Sequence, residues 1–314
     1  MKIFNDFNKL ATIKNPVLTI GTFDGVHVGH QKIIQQLNTE AKKLKGESVL
    51  FTFYPHPRMV LNPTNHGLKL IQTQEEKLEK LKEYGLDNLI VIPFTNEFSN
   101  LSAEDFVKKY LVDQLNVKKV VIGYDHQFGK NREGGIEFLK AVSTKYAFDV
   151  IEITAEEINE VNISSTRIRK AIEKGDLKTA NEYLGDPFQL NGIVVEGKKL
   201  GRTIGYPTAN IQVNSDLKII PDNGVYFVNV KLRAGENYYG MLNIGYRPTV
   251  SDEHIQTIEV NLFDFNNEIY NEAIQVSFIS KLRDEKKFKS IDELTIQLQE
   301  DEKKCRSLIN PVHQ

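Results

Sequence analysis

Two hydrophobic patterns alternate along the first half of the chain. One is a short apolar run, first met at Val17–Ile20 and closed by Gly21. The other places apolar residues at helical spacing, as at Ile33, Ile34, Leu37, Ala41 and Leu44. The first pattern predicts a buried parallel strand and the second an amphipathic helix. Further strands are predicted at Ser48–Phe53, Asn88–Pro93, Lys119–Gly123 and Phe148–Ile153. Between them, Thr73-Gln-Glu-Glu76 reads as a capping box for a helix reaching Tyr84. Ser102-Ala-Glu-Asp105 caps another, with Phe106, Val107, Tyr110, Leu111 and Leu115 on one side. Strands alternating with helices predict an α/β doubly wound parallel sheet, whose ligands sit beyond the carboxyl ends of its strands.

The alternation stops at Gly185-Asp-Pro187, which reads as a joint. Strand then follows strand: Gln189–Glu196, Gly224–Leu232, Tyr238–Ile244, Ile255–Phe265 and Ala273–Ile279. A small antiparallel β-barrel is predicted. Ser290-Ile-Asp-Glu293 caps a closing helix whose apolar side is expected to hold Ile291, Leu294, Leu298, Cys305 and Leu308. The expected organisation is two domains, residues 1–185 and 186–314.

Charge and composition exclude more than they specify. The 314 residues carry 40 basic and 42 acidic side chains, so a net charge of −2 offers no electrostatic case for nucleic acid. One cysteine, Cys305, permits no internal disulfide; it is expected in the core, and its solitude suits a reducing, cytoplasmic setting. No apolar run is long enough to span a bilayer, and the start lacks an apolar signal core, so no membrane partner is expected. Nothing in the sequence specifies an oligomeric state.

Candidate chemistry clusters after the predicted strands. Gly21-Thr-Phe-Asp-Gly-Val-His-Val-Gly-His30 joins the first strand to the first helix. A glycine-rich loop leading into a helix N-terminus makes an anion site, because the first helical N–H groups have no internal partner. His27 and His30 can both face one phosphate there, although two capping histidines would carry the same pattern. Zinc is a poorer fit, since two histidines leave the site two ligands short. Tyr54-Pro-His-Pro57 follows the second strand, and Gly123-Tyr-Asp-His-Gln-Phe-Gly129 the fourth. Ile163-Ser-Ser-Thr-Arg-Ile-Arg169 follows the fifth; its hydroxyls cap a helix, and Arg169 one turn on can grip phosphate. In the second half, Gly197, Gly201 and Gly205 punctuate a basic loop that ends in Pro207-Thr-Ala-Asn210.

GTFDGVHVGH and ISSTRIR resemble the paired motifs of HxGH nucleotidyltransferases, and more narrowly those of the bacterial bifunctional riboflavin kinase/FAD synthetase family. The loop ending in PTAN, the segment Asn243–Thr249 (NIGYRPT) and Val276–Phe288 resemble the kinase half of that family. The resemblance covers nearly the entire chain. It implies phosphorylation of riboflavin by ATP to FMN in the second domain, and adenylylation of FMN to FAD with release of pyrophosphate in the first. It implies Mg2+ as cofactor and small molecules (ATP, riboflavin, FMN) as partners.

The same resemblance assigns roles. ATP in the adenylyltransferase would meet Gly21, Phe23, Asp24, His27, Gly29, His30, Asp125, Ser164, Ser165, Thr166 and Arg169, with His27 and His30 catalytic. His56 and Phe128 would meet the flavin. In the kinase, Gly197, Lys199, Gly201, Arg202, Gly205, Thr208 and Asn210 would hold the nucleotide, with Thr208 and Asn210 on the metal. Asn243, Arg247, Leu282 and Arg283 would border the flavin, and Glu259 would be the catalytic base. Two positions depart from the pattern: His126 often corresponds to an aromatic, and Asn261 to a histidine. Two other readings stay open: a single-activity enzyme with one silent module, and a flavin- or RNA-binding regulator on an enzyme fold.

Overall fold

The computed structural model describes residues 1–7, 10, 12–62, 67–154, 163–197, 200–233, 235–247 and 255–309. They form two compact units, Met1–Ser165 and Thr166–Gln314. The division falls earlier than Gly185. The helix Leu177–Leu184, N-capped by Asp176, is tied to the barrel, where the Asn181 side chain donates to the Phe278 carbonyl at 2.9 Å and accepts from the Phe188 N–H at 2.7 Å.

The first unit holds six parallel strands: β1 (Lys2–Phe4), β2 (Val17–Ile20), β3 (Ser48–Phe53), β4 (Asn88–Ile92), β5 (Lys119–Gly123) and β6 (Asp149–Ile153). Their order is β1-β4-β3-β2-β5-β6. β2 to β4 step outward on one side of β2, and β5 then lies on its other side. The loops after β2 and β5 therefore flank the switch point where such sheets take ligands. Alternate residues serve opposite faces. Leu18, Ile20, Phe51 and Ile122 pack toward Phe106, Leu111 and Leu139. Val17, Leu50 and Val121 pack toward Ile34, Leu37 and Ala41 of the helix Val28–Lys43. Both faces are covered, which is why these strands read as continuous apolar runs. The box at Thr73 and Glu76 forms as expected. The helix begun at Ser102 runs as an α-helix to Phe106 and then as a π-helix over Val107–Gln114.

The second unit is a closed antiparallel barrel in the order β10-β11-β8-β7-β12-β9, followed by a helix. Its strands are β7 (Phe188–Val195), β8 (Ala209–Val213), β9 (Gly224–Leu232), β10 (Asn237–Arg247), β11 (Ile255–Leu262) and β12 (Ala273–Arg283). Leu242, Ile258 and Val260 alternate with Asn243 and Glu259, so one barrel face is apolar and the other carries polar groups. On that second face Val225, Phe227, Met241 and Leu282 pack with Cys305 of the closing helix Ile291–Ile309.

The buried strip of that helix differs from expectation. Ile291 and Leu308 are 66% and 50% exposed, whereas Asp301 is buried beside Cys305. Asp301 receives Arg283 bidentately, Nη2–Oδ2 at 2.7 Å and Nε–Oδ1 at 3.1 Å, and Gln297 at 3.1 Å. A paired carboxylate can lie within an apolar strip, so hydrophobic spacing alone passes over it. Replacing Asp301 by Ala leaves that guanidinium unpaired, and chemical denaturation is expected to register a loss of about 3 kcal/mol. Ile291→Ala should stay within about 0.5 kcal/mol, as for exposed positions. Equal effects at the two positions would contradict the clasp.

Candidate functional site

The loop after β2 is held by its own carbonyls. Lys77 Nζ donates to Thr22 O at 3.2 Å, Ser165 Oγ to Asp24 O at 2.9 Å, and Gln31 Nε2 to Val26 O at 2.9 Å. The Asp24 carboxylate accepts the N–H groups of Ile71 and Gln72 at 3.1 and 3.2 Å. These ties hold left-handed backbone at Phe23 (φ 50°), Gly25 (φ 89°) and Val26 (φ 37°). Only glycine takes that conformation without strain, so Phe23 and Val26 depend on their surroundings.

The held loop delivers His27 to the N-cap of the helix Val28–Lys43, with Gly29 buried in its first turn. His27 Nδ1 accepts the His30 N–H at 3.4 Å, which leaves Nε2 of a neutral His27 as the donor. The two imidazoles stack at 3.6 Å, and Phe23 covers the other face of His30 at 4.4 Å. His30 Nδ1 is buried with no hydrogen-bond partner among the described residues. Burial, then His27 and then Lys77, hold the His30 imidazole well below its ordinary pKa. The pair is thus two stacked imidazoles at a helix N-terminus, with His30 held toward its neutral form. It can stabilise charge that develops on an arriving phosphate.

A cavity of about 530 Å³ extends from Gly21 and Thr22 along the loop after β5. Phe128 lines it and packs on Phe106 at 5.4 Å, while Asp125 is exposed in the same loop. His56 does not line it. Its Nδ1 accepts the Arg58 N–H at 3.2 Å and so caps the short helix Pro57–Leu61, whose Pro57 is in the wall. Sequence reasoning missed Phe53, Phe94 and Phe98, which complete an aromatic wall. Two phenylalanines four positions apart just after a strand were the available signal. Ser165 opens the helix Ser165–Glu173 next to Ser164; Thr166 is exposed and Arg169 buried one turn on.

In the second unit, pairing lines up three polar residues. Glu259 on β11 lies opposite Asn243 of β10 on one side and Asn210 of β8 on the other. Thr208 Oγ1 donates to Glu259 Oε2 at 3.1 Å. Asn261, two residues along β11, donates from Nδ2 to Pro207 O at 2.7 Å and so holds the turn that presents Thr208. A Cβ at Gly197 would collide with the Asn210 amide, so this glycine lets Asn210 lie across the loop. Gly201 and Gly205 (φ 82°) continue the same segment.

Thr208 borders two cavities. One, of about 320 Å³, also holds Asn243, Glu259, Asn261, Arg283 and Phe288. The other, of about 330 Å³, is lined by Arg202, Phe265, Ile269 and Tyr270. Arg202 is oriented there by Glu268 at 2.8 Å and Tyr270 at 3.3 Å. Leu282 belongs to the packing under the closing helix. Lys199 lies outside the described residues, and Arg247 is described by its backbone alone, paired with Ile255.

Comparison with known proteins gives a match in each half of the chain. A family model described as FAD synthetase matches residues 10–167, and one described as riboflavin kinase matches residues 184–309. A bifunctional riboflavin kinase/FMN adenylyltransferase of Listeria monocytogenes is 41% identical over 93% of this chain and 92% of its own. Those of Bacillus subtilis and Escherichia coli K12 are 38% and 37% identical, covering 92% and 98% of this chain and 91% and 97% of theirs. A crystal structure from Streptococcus pneumoniae, described as a macrolide-efflux protein, aligns with a TM-score of 0.87 at 36% identity, covering 97% of this chain and 98% of that one. Among the described residues of the present chain, no helix is long and apolar enough to cross a membrane. With both family models matched in order and relatives of this identity aligned over nearly their full lengths, the chain belongs to the bifunctional riboflavin kinase/FMN adenylyltransferase family.

Proposed function

We propose that this protein makes FMN from riboflavin and ATP in its second unit, and FAD from FMN and ATP, with release of pyrophosphate, in its first. One observation carries the reading: each family match contains a complete polar constellation of its own, the stacked histidines in one and Glu259 with Thr208 in the other. A regulator would have no use for two catalytic arrangements, and a single-activity enzyme would need only one. Both steps are proposed to run in the cytoplasm, where a lone buried thiol is stable.

The two steps need different help. The 5′-hydroxyl of riboflavin is a weak nucleophile, so the kinase step calls for a base. Glu259 would take that proton from a flavin in the first cavity, while ATP in the neighbouring cavity presents its terminal phosphate beside Thr208. Asn243 and Asn210 flank the base, and Arg202 carries charge toward the nucleotide. The Thr208 hydroxyl and the Asn210 side-chain carbonyl are hard oxygen donors suited to Mg2+. Among the described residues no group of three His, Cys, Asp or Glu could hold a metal ion alone, which fits a cation carried in on phosphate oxygens. Bound there, Mg2+ would offset charge on those oxygens.

An FMN phosphate is already anionic, so adenylyl transfer needs placement and charge stabilisation rather than a base. His27 and His30 would serve the α-phosphate of ATP and the leaving pyrophosphate. Ser164, Ser165, Thr166 and Arg169 are proposed to add hydroxyl and guanidinium contacts, on the strength of the ISSTRIR segment.

Incubating the purified protein with riboflavin and ATP, and resolving FMN from FAD, tests the whole reading; formation of neither product would refute it. His30→Ala should lower FAD formation by about 10² to 10³ while FMN formation continues. Glu259→Gln should lower kcat for FMN formation by about 10² to 10⁴, with FAD still made from supplied FMN. Near-normal turnover in either variant would remove that residue from its role. Phosphate binding should also favour the imidazolium over the neutral His30 of the free protein. Between the lowered pKa of the free protein and the higher value reached in the complex, ATP binding should therefore take up a proton, and affinity should fall as pH rises across that window. Binding enthalpies measured in buffers of different ionisation heat would reveal the uptake, which should vanish in His30→Ala.

A further inference from the structure

The turn that presents Thr208 is held at two points. Asn261 of β11 secures its Pro207 carbonyl. Tyr206, one residue earlier, is tied to the closing helix Ile291–Ile309, where its hydroxyl donates to Glu302 Oε2 at 3.1 Å. The other oxygen of that carboxylate accepts Arg306 Nε at 2.8 Å, one helical turn on. Arg306 then grips Asp264 with both terminal nitrogens, at 3.0 and 3.1 Å, and lies over the Phe263 ring at 4.9 Å. Asp264 stands two residues beyond the end of β11, the strand that carries Glu259. Four side chains thus link the turn before Thr208 to the strand of the proposed base, by way of the helix. A guanidinium held bidentately has a fixed orientation, so the chain ends on a rigid anchor.

Tyr206 lines the same cavity of about 320 Å³ as Thr208 and Glu259, whereas Glu302, Arg306 and Asp264 do not line it. The Tyr206 ring packs on the cluster around Cys305, which leaves its hydroxyl as the part that needs a partner. Burial, and then Glu302, raise the Tyr206 pKa, so the phenol keeps its proton and donates. The neighbouring carboxylate on the helix serves a different part of the wall: Asp301 holds Arg283 of β12. We propose that Glu302 is a positioning residue for the kinase step, which through the Tyr206 hydroxyl sets where Thr208 stands relative to Glu259 and so how the nucleotide is held. The proposal rests on the riboflavin kinase reading, in which Thr208 meets the nucleotide.

The test uses the full-length protein with Tyr206→Phe, Glu302→Ala, Glu302→Gln and the double variant of Tyr206→Phe with Glu302→Ala. FMN formation is followed with ATP and riboflavin varied in turn. Loss of one hydrogen bond predicts that Tyr206→Phe raises KM for ATP about 3- to 10-fold. KM for riboflavin should stay within about twofold, because Asp301 still holds the Arg283 side of the cavity. Glu302→Ala should act like Tyr206→Phe. Combining the two should change KM for ATP by less than about twofold beyond Glu302→Ala alone, since both remove one shared interaction. Glu302→Gln keeps an acceptor for the phenol and should recover part of the loss. FAD formation from supplied FMN should be unaltered throughout. Tyr206→Phe removes a single oxygen, so it decides the matter even if Glu302→Ala folds poorly. An unchanged KM for ATP in Tyr206→Phe would overturn the proposal, as would multiplying effects in the double variant. An equal rise in KM for both substrates would also overturn it, as the mark of a general structural strut. No FMN from riboflavin and ATP in the unsubstituted protein would overturn the kinase reading as well.

Discussion

The first unit depends on how Asp24 is used. Its carboxylate accepts two N–H groups from the segment at Ile71 and Gln72, and its carbonyl accepts the hydroxyl of Ser165. A charged acceptor on backbone N–H groups is a strong, directional tie. It is needed because Phe23 and Val26 hold a backbone conformation that side chains ordinarily avoid. The distorted loop brings Phe23 onto His30 and places His27 at the N-cap. Asp24, read from sequence as an ATP contact, thus has a structural task in the protein as it stands. The same constraint accounts for the buried Lys77, which secures the Thr22 carbonyl while contributing to the depressed pKa of His30.

The second unit reaches a comparable precision by strand register. Asn243, Glu259 and Asn210 stand side by side because three antiparallel strands are paired in one alignment. A shift of one residue would turn Glu259 into the apolar barrel face. Asn261 shows how a departure from a family pattern can still be informative. Its amide holds the Pro207 carbonyl, and that bond steadies the turn carrying Thr208. The position therefore keeps a positioning task whatever its side chain contributes to the reaction.

The two units solve different electrostatic problems. In the first, two stacked imidazoles stand at a helix terminus, an arrangement suited to negative charge. In the second, a carboxylate lines one cavity beside a hydroxyl that borders two, with an amide on the strand to either side. The aromatic wall and the start of the loop after β2 line one cavity in the first unit, apolar along the phenylalanines and polar elsewhere.

Much of this was legible in the chain itself. Parallel strands covered on both faces must be continuously apolar, so β2, β3 and β5 were readable almost to the residue. The capping box at Thr73 and the cap of the Ser290 hydroxyl on the Glu293 N–H depend on neighbours three positions away, and local sequence specifies them; the Glu293 carboxylate reaches the Lys289 N–H rather than closing a second box. The glycine loops, the histidine pair and Glu259 were visible for the same reason: each is a short pattern tied to one strand end or one strand. Other features required the fold. β1 is a three-residue edge strand, and β8 pairs only Ala209 and Asn210 with β11, so neither bears a clear alternation. Asp301 lies in a helix strip that spacing marks as apolar, and its burial makes sense only once Arg283 arrives from β12. Phe53, Phe94 and Phe98 look like ordinary core residues until the loops after β3, β4 and β5 enclose a space between them. Local sequence determined the elements and their motifs, because caps, turns and periodicity act within a few residues. Which side chains share a cavity, which charge is paired and which imidazole nitrogen is left unpartnered were decided by tertiary structure, because those properties belong to residues that meet only when the chain has folded.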